Sequence, residues 1–135
     1  MIVGMGVDLV DMARIRRLLE ARGERAWKRL FTDAESAYAR ARPDSALHLA
    51  ARIAAKEACF KALSGNDLAR GIGWRDMEVT NAGDGRPLLS LHRRAAERAA
   101  ELEVSRIWLT LSHSATTAIA VVILERDWQP LSAPA

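Results

Sequence analysis

A single cysteine, Cys59, occurs in the 135 residues, so no intramolecular disulfide can form. Aromatic residues make up only 5% of the chain. That scarcity argues against a single-strand nucleic-acid binder, which stacks bases on aromatic platforms. The three histidines, His48, His92 and His113, fall at no metal-ligand spacing, which argues against zinc. No apolar run is long enough to span a bilayer. No charged segment followed by an apolar stretch and a cleavage site opens the chain, because Met1 leads straight into a strand pattern. With the lone thiol, this gives the expectation of a cytoplasmic protein that engages no membrane. Cys59 lies beside a row of alanines and reads as a buried structural thiol, not a nucleophile.

The residues present are those of one globular domain with its own core: half are hydrophobic and 27% are charged. The formal charge is +3, and the positive charge is unevenly spread. Arg14, Arg16, Arg17, Arg22, Arg25, Lys28 and Arg29 crowd the first third. Such a patch favours an anionic partner: nucleic acid, a phosphorylated small molecule or an acidic protein.

The segment from Ala51 to Leu63 is built of helix formers, with no Gly or Pro inside. Ala51, Ala55, Ala58 and Ala62 form one row at helical spacing, whose small side chains let another backbone approach closely. Glu57 and Lys61 lie one turn apart on a second row, Arg52 and Lys56 on a third. At the N-terminus, strand alternation puts Val3, Met5, Val7 and Leu9 on one face and Gly4, Gly6 and Asp8 on the other. Glycine inside a strand marks close approach by a ligand or a backbone, and here two glycines lead to a carboxylate.

Asp11 is placed to cap a helix from Met12 to about Arg22, stopped by Gly23, with Ile15, Leu18 and Leu19 inward. A short helix around Glu24–Leu30 follows. Thr32 to Glu35 fits a capping box, opening a helix that ends before Pro43. Asp44 or Ser45 caps the long helix, and Gly65 ends it. After a loop from Ser64 to Arg75, Met77–Asn81 and Pro87–Leu91 read as a hairpin. His92–Glu103 reads as a helix with Ala95, Ala96, Ala99 and Leu102 on one side. Arg106–Ser112 and Thr117–Glu125 read as strands around a tight turn, and residues 126–135 as a flexible tail beyond a domain of residues 1–125. The expectation is an α+β domain, in which a mostly antiparallel sheet of the first strand and the last hairpin packs against the long helix.

Gly4-x-Gly6-x-Asp8, Arg14, Phe31-Thr32-x-x-Glu35, Arg52-x-Ala54-Ala55-Lys56-Glu57-Ala58-x-x-Lys61-Ala62, Gly85-x-Pro87 and Ser112-His113 occur in this order. The series resembles the holo-(acyl-carrier-protein) synthases, the small single-domain 4′-phosphopantetheinyl transferases, across roughly residues 2–125. The resemblance implies that family's fold. It also implies transfer of 4′-phosphopantetheine from coenzyme A to a serine of apo acyl carrier protein, releasing adenosine 3′,5′-bisphosphate and requiring Mg2+. Carried over by motif, Asp8 and Glu57 are metal ligands, and Glu57 and Lys61 are catalytic. Arg52, Lys56, Lys61, Gly65, Ser112 and His113 form the coenzyme A set, with Lys56 serving either the fold or the neighbouring phosphate. Glu57, or a magnesium-bound water held near it, is the first choice of base and Glu35 the second; a capping role explains Glu35 equally well. Arg14 matches the motif expected to dock the acidic carrier protein, and Arg17 lies beside it. The family also implies a homotrimer with sites between subunits, so that Asp8 and His113 serve one site from two chains. One departure stands out: where the family often has a Gly-Thr-Gly turn, this chain has Ser64-Gly65-Asn66.

Two other readings compete. A basic α+β module for RNA would use the arginine-rich first helix on phosphates, but leaves Gly4, Gly6, Asp8 and Glu57 without a purpose. A trimerisation domain with an inactive site would also fit. Neither nucleic acid nor membrane is the expected partner.

Overall fold

The computed structural model describes residues 1–130; the rest of the expected tail, residues 131–135, lies outside the described residues. Strand β1 (Ile2–Asp11) runs directly into α1 (Met12–Arg22), and α2 (Glu24–Leu30) and α3 (Asp33–Arg40) follow. The long helix α4 (Ser45–Leu63) leads through a loop to the hairpin β2 (Met77–Asn81) and β3 (Pro87–Leu91). Helix α5 (Arg93–Glu101) and the hairpin β4 (Arg106–His113) and β5 (Thr117–Glu125) complete the described chain.

The local signals act largely as read. Gly23 adopts a positive φ of 54° and its amide bonds the carbonyl of Leu19, closing α1. Thr32 and Glu35 form the reciprocal capping box of α3, and Asp44 accepts from the Leu47 amide to cap α4. Asp11 differs from expectation: its side chain makes no capping bond. The Met12 amide donates instead to the carbonyl of Thr116, at 2.9 Å. Sheet pairing therefore supplies the partner that a free helix end would take from its cap residue.

The sheet has the order β1-β5-β4, antiparallel throughout, while β2 and β3 form a separate two-stranded sheet. Pairing runs one residue past the expected domain end, since Met1 and Arg126 exchange backbone hydrogen bonds of 2.8 and 2.9 Å. Gly4, Gly6, Asp8 and Val10 stand opposite Leu124, Val122, Ala120 and Ala118. These β5 residues and Val10 are wholly buried, and α4 lies across them with Ala54, Ala55, Ala58 and Cys59 equally buried.

The glycine face and the alanine row are two halves of one contact. A Cβ on Gly6 would stand 1.9 Å from the carbonyl oxygen of Ala58, and one on Gly4 would stand 2.3 Å from that of Ala62. A backbone, not a ligand, takes the space that the two glycines leave. The opposite face of β1 has no cover: Met5, Val7 and Leu9 are 61%, 51% and 63% exposed. Ile119, Val121 and Ile123 of β5 continue that face half-buried, and Trp108 of β4 lies exposed beyond them.

Gly6→Ala is expected to destabilise the domain by about 3 kcal/mol or more, because α4 must move as a backbone, not as a flexible side chain. Urea unfolding checks this; a midpoint within error of the parent would show that α4 has room to move.

Candidate active site

Asp8 stands near the end of the glycine face of β1, and Glu57 and Lys61 project from the flank of α4 that passes it. Lys61 Nζ donates to Asp8 Oδ1 at 2.9 Å and to the carbonyl of Val7 at 3.0 Å. The simple Glu57–Lys61 pair allowed by helical spacing is replaced by this bridge between strand and helix. The other carboxylate oxygen, Asp8 Oδ2, is buried and has no hydrogen-bond donor. Burial pushes the Glu57 carboxyl up, and the neighbouring Asp8 carboxyl adds to it, so that Glu57 titrates at about 7. For Asp8, burial is outweighed by its interactions with Glu57 and Lys61, which hold it below the usual carboxylate value. Arg14 of α1 approaches Glu57 Oε1 at 4.0 Å.

Two carboxyl groups forced together, one with an orphaned oxygen, fit a hard divalent cation. Magnesium binds through one or two carboxylates and completes its coordination with water and substrate phosphate. Among the described residues, no group of three or more His, Cys, Asp or Glu gathers to form a fuller cage.

Two expected participants belong to the interior instead. Lys56, placed in the coenzyme A set by motif, is 0% exposed. Its ammonium donates to Glu35 Oε1 at 2.7 Å and to the carbonyls of Trp74 and Met77 at 2.8 and 2.6 Å. All three donors are thereby used. Glu35, the second candidate base, is equally enclosed and accepts from Lys56, from the Thr32 amide and from the Val79 amide at 3.1 Å. The capping-box reading of Glu35 therefore stands, extended by a buried ion pair. Helix periodicity alone could not separate an inward Lys56 from an outward one.

Arg52, Ser112 and His113 line one cleft of about 400 Å³, between α4, the hairpin loop after β2 and the edge strand β4. Arg52 is nearly buried, stacks 4.3 Å from the Tyr38 ring and reaches Asn81 Oδ1 at 3.3 Å. Its Nε has no partner. Burial, then the charges of Arg52 and Arg42, keeps His48 in the same cleft below its ordinary value. Arg86 and Pro87 line the opposite side, and the sequence reading gave Tyr38, His48 and Arg86 no role. Gly85 and Pro87 carried the only signal for that side, through their motif. Asp8, Glu57 and Lys61 do not line this cleft. Arg52 and Glu57 are five positions apart on α4, which turns them about 140° from each other.

A second, apolar pocket adjoins Lys56, Glu57 and Lys61, walled by Phe60, Ile72, Trp74 and Met77. Arg22, Arg25 and Arg29 surround a groove between α1 and α2, floored by Leu18, Ala26 and Leu30. Arg14 and Arg17 are exposed on α1. Gly65 has a φ of 124° just past the end of α4, a conformation suited to glycine.

The chain belongs to the 4′-phosphopantetheinyl transferase superfamily, whose family model matches residues 4–122. It is 44% identical over 126 residues to the holo-[acyl-carrier-protein] synthase of Geobacter sp. (strain M21), covering 93% of this chain and all of that one. Its fold is similar to that of the holo-[acyl-carrier-protein] synthase from Neisseria meningitidis, with a TM-score of 0.82, 28% identity, and 93% and 100% of the two chains covered. The holo-(acyl-carrier-protein) synthase from Bacillus anthracis str. Ames, solved in complex with CoA (3′,5′-ADP), matches with a TM-score of 0.75 at 31% identity, over 94% of this chain and 99% of that one. The family indicated by the motifs is the family found, and the α+β architecture agrees.

Lys56→Met is expected to cost about 3–5 kcal/mol of stability, because Glu35 is left charged and buried without a cation. Adding Glu35→Gln to Lys56→Met restores part of that loss. Denaturant curves of the single and double variants check this. A stable Lys56→Met protein with only a raised KM for coenzyme A would return Lys56 to the ligand set.

Proposed function

We propose that this chain transfers 4′-phosphopantetheine from coenzyme A to a serine hydroxyl of an acidic acyl carrier protein. The observation that carries the reading is the cluster of Asp8, Glu57 and Lys61, with an orphaned carboxylate oxygen, in a chain of this family. The serine oxygen forms a bond to the phosphorus bearing the pantetheine arm. The bond from that phosphorus to the bridging pyrophosphate oxygen breaks, releasing adenosine 3′,5′-bisphosphate. Asp8 and Glu57 would hold the magnesium ion, which when bound neutralises charge on the pyrophosphate oxygens. Lys61 turns from Asp8 to the departing bisphosphate and stabilises or protonates it. The serine proton passes to Glu57 or to a water beside it. The apolar pocket at Phe60 and Trp74 gives the uncharged pantetheine arm a wall on leaving the reacting phosphorus.

Arg52, Ser112 and His113 serve the nucleotide end, where a guanidinium fork and a ring suit phosphate and base. Their cleft and the carboxylate pair face different ways on one chain. A homotrimer resolves this: the exposed Met5, Val7 and Leu9 face is buried against neighbours, and one chain's cleft meets another's carboxylates. Arg14 and Arg17 dock the acidic carrier protein, and the arginine-lined groove between α1 and α2 extends the same basic surface. A reducing cytoplasm suits the single, buried Cys59.

Mass spectrometry of apo carrier protein incubated with the chain, coenzyme A and magnesium tests the reaction. A gain of one phosphopantetheine group is expected, and no gain overturns the reading. Asp8→Asn and Glu57→Gln should each lower turnover by about tenfold or more with the fold intact. Near-normal magnesium-dependent turnover in either variant would remove the two-carboxylate site. Val7→Asp should yield a folded monomer by light scattering with little activity; a fully active monomer would exclude shared sites.

A further inference from the structure

The turn that departs from the family pattern, Ser64-Gly65-Asn66, is held by a residue with no place in any motif. Arg98 of α5 is 5% exposed. Its Nε donates to the carbonyl of Leu63 at 2.6 Å, and its terminal nitrogens donate to the carbonyl of Ser64 at 3.2 Å and to Glu101 Oε1 at 2.8 Å. Glu101 Oε1 also accepts from the Asn66 side-chain amide. The Arg98–Glu101 pair thus grips both sides of the turn. The two carbonyls lie at the C-terminal end of α4, where a helix leaves its last acceptors unpaired and carries partial negative charge. A buried guanidinium there makes charge-assisted bonds in a fixed fork. A Cβ on Gly65 would come within 3.5 Å of the guanidinium, so the turn rests directly on it.

The same last turn carries Lys61, whose carbonyl accepts from both the amide and the hydroxyl of Ser64, at 3.3 and 2.7 Å. A continuous set of hydrogen bonds therefore runs from α5 through the turn to the backbone of the residue assigned to the phosphates. We propose that Arg98 is a positioning residue for coenzyme A. Braced by Glu101, it fixes the 64–66 turn and the end of α4 by a side-chain clamp. The proposal rests on the transferase reading, with Lys61 and Gly65 at the coenzyme A phosphates.

The test is steady-state kinetics of Arg98→Met, Arg98→Lys and Glu101→Ala below the melting transition of each. Arg98→Met should raise KM for coenzyme A about tenfold, the scale of one lost charge-assisted bond, while KM for carrier protein changes less than about twofold. Arg98→Lys, which keeps a charge but not the fork, should recover part of the loss. Glu101→Ala, at a half-exposed site, keeps the fold and should raise the same KM severalfold. A merely structural arginine would lower the active fraction, and so kcat, with KM for coenzyme A unchanged. That result in Glu101→Ala and in any folded Arg98 variant would overturn the proposal. Absence of transfer by the parent chain would instead overturn the transferase reading itself.

Discussion

The meeting of Asp8, Glu57 and Lys61 depends on how closely β1 and α4 approach. With Gly4 and Gly6 against the carbonyls of Ala62 and Ala58, strand and helix meet backbone to backbone. Side chains usually hold a helix and a sheet about 10 Å apart; here no side chain intervenes at the crossing. That closeness lets a short carboxylate, Asp8, reach residues of the helix flank. Lys61 spans from α4 to the strand at 2.9 Å, a distance that any Cβ on Gly6 would lengthen. Four small residues thus set the reach of Asp8, Glu57 and Lys61.

Around this contact the helix is fixed by polar ties that are costly to break. Lys56 anchors its middle to Glu35 of α3 and to the backbone around β2. Arg98 anchors its end to α5. A buried ion pair adds little net stability over a well-packed apolar pair, but removing one partner is strongly destabilising. Sliding α4 by one turn would break the Lys56 bonds and orphan Glu35. The polar ties therefore oppose displacement along the helix axis, while the alanine–glycine packing sets its distance from the sheet.

The order of elements was legible because most boundaries carry a local chemical signal, such as Gly23, the Thr32–Glu35 box, Asp44 and the alternation of β5, although Asp11 makes no capping bond. The meeting of Asp8 with Glu57 and Lys61 was legible only through motif, since no spacing links a strand end to a helix fifty residues on. Of the two roles open to Lys56, the fold or the phosphate, its buried bonds favour the first. Arg52 and Lys56 share a helix row, yet Arg52 lines the cleft beside Ser112 and His113, while the Lys56 ammonium turns inward to Glu35 and to the carbonyls of Trp74 and Met77. Arg98 had a signal that went unread: it falls three residues after Ala95 and one before Ala99, on the inward stripe of α5. An arginine on such a stripe must find acceptors inside, and the end of α4 supplies them.

Cys59 gives the alanine contact an observable clock. The thiol is completely buried one position after Ala58, and burial raises its pKa to about 12. Both effects make it inert to alkylating reagents while α4 stays seated. Each reaction at sulfur then counts an opening of the helix from its neighbours, so a native thiol serves as its own label for local unfolding. The rate of that labelling, compared with and without coenzyme A, measures how far substrate holds the helix down, with no change to the sequence.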